Sequence, residues 1–413
     1  MVPLPPGLST PIAVETAPTR NSRPPAPRRA LPQFGHLAMF STTLNELNPT
    51  NTQGERASER SNDDLVERYR AIVDDRRMNW TTHHALLKRL GSGGQGVVYL
   101  TERRGADNFT LPVALKIFSP ERYSDAREYD EAMTRIAHVS ARVAQIQQDH
   151  LLDVQNFVDR NRIRMMVMEW VDGYDLRRLL VPEMLEAIHE RVEPERWEYI
   201  NRVMVTAGPA QPRFKPGVAV AIVRDVLAAL AALHREGIVH GDIKPSNLML
   251  KRTGTVKTVD IGSAFDVDDP PAQRTCTPAY AAPEVLEGTE CTPRSDLASL
   301  GYVLVELLAG VPPFAGLNTY RELLEAKRTL PQRLTELLPF EVTCNDLLMS
   351  FCRGLIAPDP MRRFPSAEAA DLLKEGAAAF HRQLVLSNLA SEYENEIRIW
   401  LEELREIEER GEL

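Results

Sequence analysis

The stretch His240-Gly241-Asp242-Ile243-Lys244-Pro245-Ser246-Asn247 decides how the rest of the chain is read. It holds a carboxylate, a lysine two residues on, and an amide five residues after the carboxylate. Moving a phosphoryl group needs three such parts: an oriented acceptor hydroxyl, an offset for negative charge, and a held metal ion. Alone, the octet is weak, because a His-Gly-Asp triplet also arises by chance. Its weight comes from what flanks it.

Downstream, Leu248-Met249-Leu250, a turn at Arg252-Thr253-Gly254, and Val256-Lys257-Thr258-Val259 read as a hairpin. It delivers Asp260-Ile261-Gly262, where Asp260 ends a strand and is placed to share a metal with Asn247. Upstream, Val218 to His234 is apolar on most faces, which predicts a buried helix closed by Gly237. Further back, Ala85 to Leu90 leads into Gly91-Ser92-Gly93-Gly94-Gln95-Gly96 and then Val97-Val98-Tyr99-Leu100. That is strand, glycine turn, strand. Glycines let backbone amides approach a phosphate closely, although a plain hairpin has the same pattern. A strand rather than a helix follows, which disfavours a dinucleotide-binding turn.

Leu111 to Phe118 is a strand with Lys116 among apolar neighbours. An unpaired ammonium would be costly there, so a carboxylate partner is required. The helix predicted over Ser124–Gln147 offers Glu128 and Glu131. Ala132 lies a turn beyond Glu128 and Arg135 a turn beyond Glu131, so Glu128 is expected to face inward. Leu151–Phe157 and Arg162–Met168 read as a strand pair around Asp159-Arg160-Asn161. They lead to Glu169-Trp170-Val171-Asp172-Gly173, a linker from a small N-terminal lobe to a larger helical one.

Composition sets the frame. The 413 residues suffice for one large bilobal unit, and 43% are hydrophobic. A net charge of −9 argues against non-specific nucleic-acid binding. No uncharged apolar run reaches membrane-spanning length, since Arg224 and Asp225 interrupt the nearest one, Ala219 to Leu233. Cys276, Cys291, Cys344 and Cys352 lack metal-ligand spacing and read as reduced thiols of a cytoplasmic protein. Residues 1–80, rich in Pro and then in Ser, Thr, Asn and Glu, read as a disordered tail with a short helix near Asp64–Val73.

From about Ala85 to Leu373 the motifs resemble the protein kinase family, in its serine/threonine branch and its bacterial members of eukaryotic type. The resemblance implies an α+β bilobal fold, a β-rich N-lobe over 83–170 and a helical C-lobe over 172–376. It implies Leu90, Gly91, Gly93, Gly96, Val98 and Ala114 around a nucleotide, and Lys116 on its phosphates with Glu128 as partner. Glu169 and Val171 would meet adenine through the linker backbone, and Asp175 the ribose. Asp242 matches the base that orients the acceptor hydroxyl, Lys244 the charge-offsetting lysine, and Asn247 with Asp260 the magnesium ligands. In Thr277-Pro278-Ala279-Tyr280-Ala281-Ala282-Pro283-Glu284, Thr277 would contact Asp242 and Lys244. Asp296 would anchor the catalytic loop and Arg363 would pair with Glu284.

Two positions depart from the family. Gly241 replaces the arginine that usually reads a phosphate on the activation segment, where Thr275 and Thr277 are the candidate acceptors; Ile261 replaces the usual phenylalanine after the metal aspartate. Residues 182–216 read as a surface insertion, and 377–413 as an amphipathic helix. Its stripe of Leu386, Leu389, Tyr393, Ile397, Trp400, Leu401, Leu404 and Ile407 would pack on the helical lobe or present a partner or dimer surface. The expected function is transfer of the γ-phosphoryl of Mg-ATP (cofactors ATP and Mg2+) to Ser or Thr of a protein substrate, with no nucleic-acid or membrane partner. The alternatives are a pseudokinase scaffold and a small-molecule kinase. The first would usually lack Lys116, Asp242, Asn247 or Asp260, and the second lacks the lysine after the aspartate and the Ala-Pro-Glu segment.

Overall fold

The computed structural model describes residues 62–75, 77–79, 83–105, 107–271, 276–386 and 393–409, all within the unit that begins at Ser58. The expected tail over 1–61 and Thr275 lie outside the described residues. The N-terminal half opens with helix α1 (Asn62–Asp74) and strands β1 (Arg77–Asn79), β2 (His83–Gly93), β3 (Gly96–Arg104) and β4 (Thr110–Phe118). Helix α2 (Ala126–Val143), β5 (Val154–Arg160) and β6 (Ile163–Glu169) complete it. The strands form one antiparallel sheet in the order β1-β2-β3-β4-β6-β5. From Val113 onward β4 is buried without alternation, as a central strand covered on both faces must be. Asn161 and Arg162 close the β5–β6 hairpin, both with positive φ (53° and 67°), which matches the twist of the flanking strands.

Helix α1 corrects the boundary of the expected tail. Leu65, Tyr69 and Ile72 lie on one face, spaced by three and four, and are buried. Asn62 donates from Nδ2 to the carbonyls of Pro120 and Tyr123 at 2.9 Å each. The segment 62–74 is therefore part of the N-lobe.

After the linker come β7 (Gly173–Asp175), α3 (Leu176–Leu179), α4 (Pro182–His189), α5 (Pro194–Val203), β8 (Val205–Thr206), β9 (Arg213–Phe214) and α6 (Pro216–Arg235). Then follow β10 (Ile238–Val239), β11 (Leu248–Lys251), β12 (Val256–Thr258) and β13 (Phe265–Asp266). The remainder is helical: α7 (Pro283–Leu286), α8 (Pro293–Ala309), α9 (Tyr320–Leu337), α10 (Phe340–Thr343), α11 (Asp346–Ile356), α12 (Ala367–Leu372), α13 (Ala377–Leu386) and α14 (Tyr393–Glu409). Helix α6 is long and apolar enough to cross a membrane by length and composition, but the helical lobe buries most of it. The charges in its middle have partners there: Arg224 pairs with Asp371 at 2.8 Å, and Asp225 accepts from the Val256 amide at 2.8 Å.

The insertion is α4, α5 and the β8–β9 hairpin, and α14 seals it. Trp400 packs edge-on against Phe214 with ring centroids 5.9 Å apart. Arg196 of α5 reaches Glu396 at 3.2 Å and Glu403 at 2.8 Å. Tyr393, Ile397, Trp400, Leu401, Leu404 and Ile407 are all buried in the chain's own lobe. The partner or dimer surface weighed for this stripe is thus already covered, while Leu386 is exposed and Leu389 lies outside the described residues. A Cβ at Gly217 would fall 2.0 Å from the Tyr393 hydroxyl, so only glycine admits the helix at this distance.

Candidate active site

Strand pairing puts Lys116 opposite Val98 of β3 and Met166 of β6, and leaves it only 4% exposed. Its amine pairs with the Asp260 carboxylate and donates to Gln95 Oε1 at 2.7 Å. Gln95 also donates from Nε2 to Ser263 Oγ at 2.8 Å, bridging the glycine turn to the segment after Asp260. Asp260 has φ 63°, a left-handed backbone that costs a non-glycine residue roughly 1–3 kcal/mol. Burial pushes its carboxyl up, but the Lys116 ammonium and the Gly262 amide outweigh that and hold it below the usual range. A Cβ on Gly262 would lie 2.1 Å from Gln95 Oε1 and 2.8 Å from Lys116 Nζ, so the glycine makes room for this cluster.

Glu128 is not the partner of Lys116. It is half-buried, and its carboxylate accepts from the Ser124 amide at 2.7 Å and the Ser124 hydroxyl at 2.6 Å. Those bonds, the hydroxyl's foremost, hold its carboxyl below the usual range. Asp125 caps the same helix end by accepting from the Glu128 amide at 2.8 Å. Glu131 pairs with Arg127, and Asp130 with Arg162 and Arg164. The carboxylates of α2 are all engaged away from Lys116.

In the octet, the Asp242 carboxylate sits among donors from Lys244, Thr277 and Asn247. Lys244 Nζ lies 2.6 Å from its Oδ2, and Thr277 donates to Oδ1 through its hydroxyl at 2.7 Å and its amide at 3.1 Å. Lys244 also donates to Thr277 Oγ1 at 2.9 Å. Asn247 donates from Nδ2 to the Asp242 carbonyl at 2.8 Å, which leaves its amide oxygen as the atom to face a cation. Asp296 fixes the loop from α8 by accepting from the amides of His240 and Gly241 and pairing with His234 Nε2, each at 2.9 Å. Burial raises the Asp296 carboxyl, but His234 and these bonds bring it below the usual range. Gly241 adopts φ 74°, where glycine is free of the strain a side chain brings.

The remaining expected residues lie on β2, β3, β4, β6, β7 and the linker. Gly96 has φ 141°, and a Cβ there would fall 1.9 Å from the Ile117 carbonyl oxygen. A Cβ at Gly91 or Gly93 would meet nothing within 4 Å, so these positions leave the backbone open to a phosphate. Leu90 is exposed at the edge, Val98 is half-buried, and Ala114 and Val171 are buried. The Glu169 side chain accepts from the Asp153 amide at 2.7 Å and pairs with Lys257. Asp175 caps α3 by accepting from the Arg178 amide at 3.0 Å, and burial pushes its carboxyl up. A cavity of about 610 Å³ bounded by α6 and α14, lined by His150, Asp225, His381 and Tyr393, contains none of these residues.

This donor set suits magnesium-ATP. Magnesium is held by one or two protein oxygens plus phosphates, rather than by a cage of side chains. Asn247 and Asp260 would be such a pair, and the described residues contain no group of three or more His, Cys, Asp or Glu able to hold a metal.

The sequence pattern of the protein kinase domain matches residues 84–374. The chain belongs to the protein kinase family. It is 31% identical over 288 residues to the serine/threonine-protein kinase PknD of Mycobacterium tuberculosis, covering 69% of this chain and 38% of that protein. It is 33% identical over 233 residues to PknL of the same organism, covering 55% and 49%, and 32% identical over 239 residues to PkaB of Streptomyces coelicolor, covering 55% and 48%. The matched region thus spans under half the length of these relatives. All three relatives are named serine/threonine-protein kinases.

Further kinase features hold the helical lobe around the site. Arg363 grips Glu284 with two bonds, at 2.6 and 2.7 Å, and Ser295 donates to the same carboxylate at 2.7 Å. The Tyr280 hydroxyl donates to Glu306 at 2.6 Å. Sequence reasoning found Asp296, Glu284 and Arg363 but missed Gln95 and His234. It also missed Lys327, although this lysine falls on the apolar stripe Leu323, Leu330 and Leu334 of α9.

Proposed function

We propose that this kinase transfers the γ-phosphoryl group of magnesium-ATP to a Ser or Thr hydroxyl of a protein substrate. The observation that carries the reading is the Asp242–Lys244–Thr277 cluster, in which an aspartate and a lysine are held together by a threonine hydroxyl. Asp242 would accept a hydrogen bond from the acceptor hydroxyl and orient it for attack, taking its proton as the new bond forms. Lys244 would offset the charge that develops beside it. Lys116 would hold phosphate oxygens once released from Asp260, and Asn247 and Asp260 would hold the metal. The bound nucleotide supplies the phosphoryl group and its leaving group.

A cytoplasmic site of action is part of the proposal, supported by Cys276, Cys344 and Cys352, which form no disulfide. One observation favours a second reading, a non-catalytic scaffold: Lys116 pairs with Asp260 rather than with a carboxylate of α2. Incubation with labelled ATP and magnesium separates the two, using histone and the kinase itself as acceptors and Asp242→Ala as control. Label on Ser or Thr in the wild type alone supports the transferase. ATP binding without label in either protein would overturn it in favour of the scaffold.

A further inference from the structure

Helix α9 carries a buried cation that the reaction as described does not use. Lys327 is 0% exposed, and its amine donates to the Ala279 carbonyl at 2.6 Å. Two aromatic faces complete its surroundings, with the amine 4.1 Å from the Tyr302 ring centroid and 3.9 Å from that of Phe314. Those rings meet edge to face at 5.1 Å, forming two walls of a cage. A buried ammonium normally sits on a carboxylate, yet every carboxylate of the packed elements is elsewhere. Glu284 is held by Arg363, Asp296 of α8 by His234, and Glu306 of α8 accepts from Tyr280 and Gln211; Glu287 next to α7 pairs with Arg328, and Asp346 of α11 is exposed, as is Arg353 on the same helix. The titratable neighbours are the Cys276 thiol and the Tyr302 phenol, both pushed up by burial and therefore neutral near neutral pH.

The atom that Lys327 holds belongs to a tight turn. The amides of Tyr280 and Ala281 both donate to the Thr277 carbonyl, at 2.9 and 3.0 Å, which turns the Ala279 carbonyl toward α9. Thr277 begins that turn and sits on Asp242. The wall beside the acceptor hydroxyl is thus tied at one end to the catalytic aspartate and at its middle to Lys327.

We propose that protonated Lys327 is a positioning residue for the acceptor, holding the Thr277–Ala281 turn through the Ala279 carbonyl in the shape that receives the acceptor chain. This rests on the protein-kinase reading above. Burial lowers the amine to about 7, so the tie weakens as pH rises through neutrality. ATP is held by other residues and is not expected to follow.

The test compares the full-length wild type with Lys327→Met, which fills the cage without charge. Replacing a buried ion by an apolar side chain of similar size is commonly neutral or stabilising, so the variant should melt no lower than the wild type. Hydrogen exchange of the Tyr280 and Ala281 amides should nevertheless speed up. The KM for histone should rise roughly tenfold, as expected for losing a charge-assisted hydrogen bond, with the KM for ATP unchanged. In the wild type the histone KM should climb from about pH 6 to about pH 8, around the lowered amine, and in the variant it should be high and flat. Unchanged exchange at the two amides, a parallel shift in both KM values, or a flat wild-type profile would each overturn the assignment. A wild type that phosphorylates nothing would count against the kinase activity, and the exchange measurement would still decide whether Lys327 holds the turn.

Discussion

At the scale of single residues, the site divides into positions that motif spacing reveals and positions that only geometry does. Asp242, Lys244, Asn247, Asp260 and Asp296 stood out through their match to protein kinase motifs, not through their partners, which lie up to 144 residues away. Glu128 was not, because a helical period gives a face and not a partner. Asp125-Ala126-Arg127-Glu128 has the spacing of a helix cap, in which a glutamate in the first turn folds back on the N-terminus. It does so here onto Ser124. Glu128→Ala is therefore expected to leave histone phosphorylation within about twofold of wild type, an effect smaller than 1 kcal/mol in the barrier. A loss of about tenfold or more would restore the glutamate to the site. Gln95 and Lys327 carried signals that went unread, one a polar side chain at the tip of a phosphate turn, the other a lysine on an apolar helix stripe.

Among elements, α14 most changes what the kinase domain is. The apolar stripe announced the helix and its packing on the helical lobe, but not the seat it takes, because the β8–β9 hairpin that receives it has strands of two residues each. Such strands are too short for a periodic pattern to register. The helix also reaches the linker region: Glu408 accepts from the Tyr174 hydroxyl at 2.8 Å and pairs with Arg178 at 3.0 Å, beside Asp175. Trp400 is 1% exposed, and Trp400→Ala should cost about 3–5 kcal/mol, the range for removing a large buried ring. Urea denaturation followed by far-ultraviolet circular dichroism would register this as a lower midpoint. An unchanged midpoint would mean that α14 is not part of the cooperative unit.

For the molecule as a whole, buried charge makes stability rise with pH in two separate windows. Asp296 and Asp260 titrate below the usual carboxylate range, so the native state holds fewer protons there than the unfolded chain. Their contribution is complete above the unfolded value of about 3.9 and fades as pH falls through the lowered native values. The stability gap between wild type and Asp296→Asn should therefore narrow as pH drops below about 4. A gap that is constant across this range in guanidinium titrations would contradict the assignment. Lys327 acts in the same direction in a higher window: its native value near 7 lies below the unfolded one of about 10.4, so stability rises with pH between about 7 and 10. The bilobal fold was legible because so many of its motifs lie in order along the chain, whereas the insertion's partner lies far from it in sequence. That separation has a consequence in time. Phe214 emerges from a ribosome on the order of 190 residues before Trp400, which at 5–20 residues per second is roughly ten to forty seconds. Throughout that interval the insertion's greasy seat is vacant, long enough for a chaperone, or a neighbouring nascent chain, to find it first.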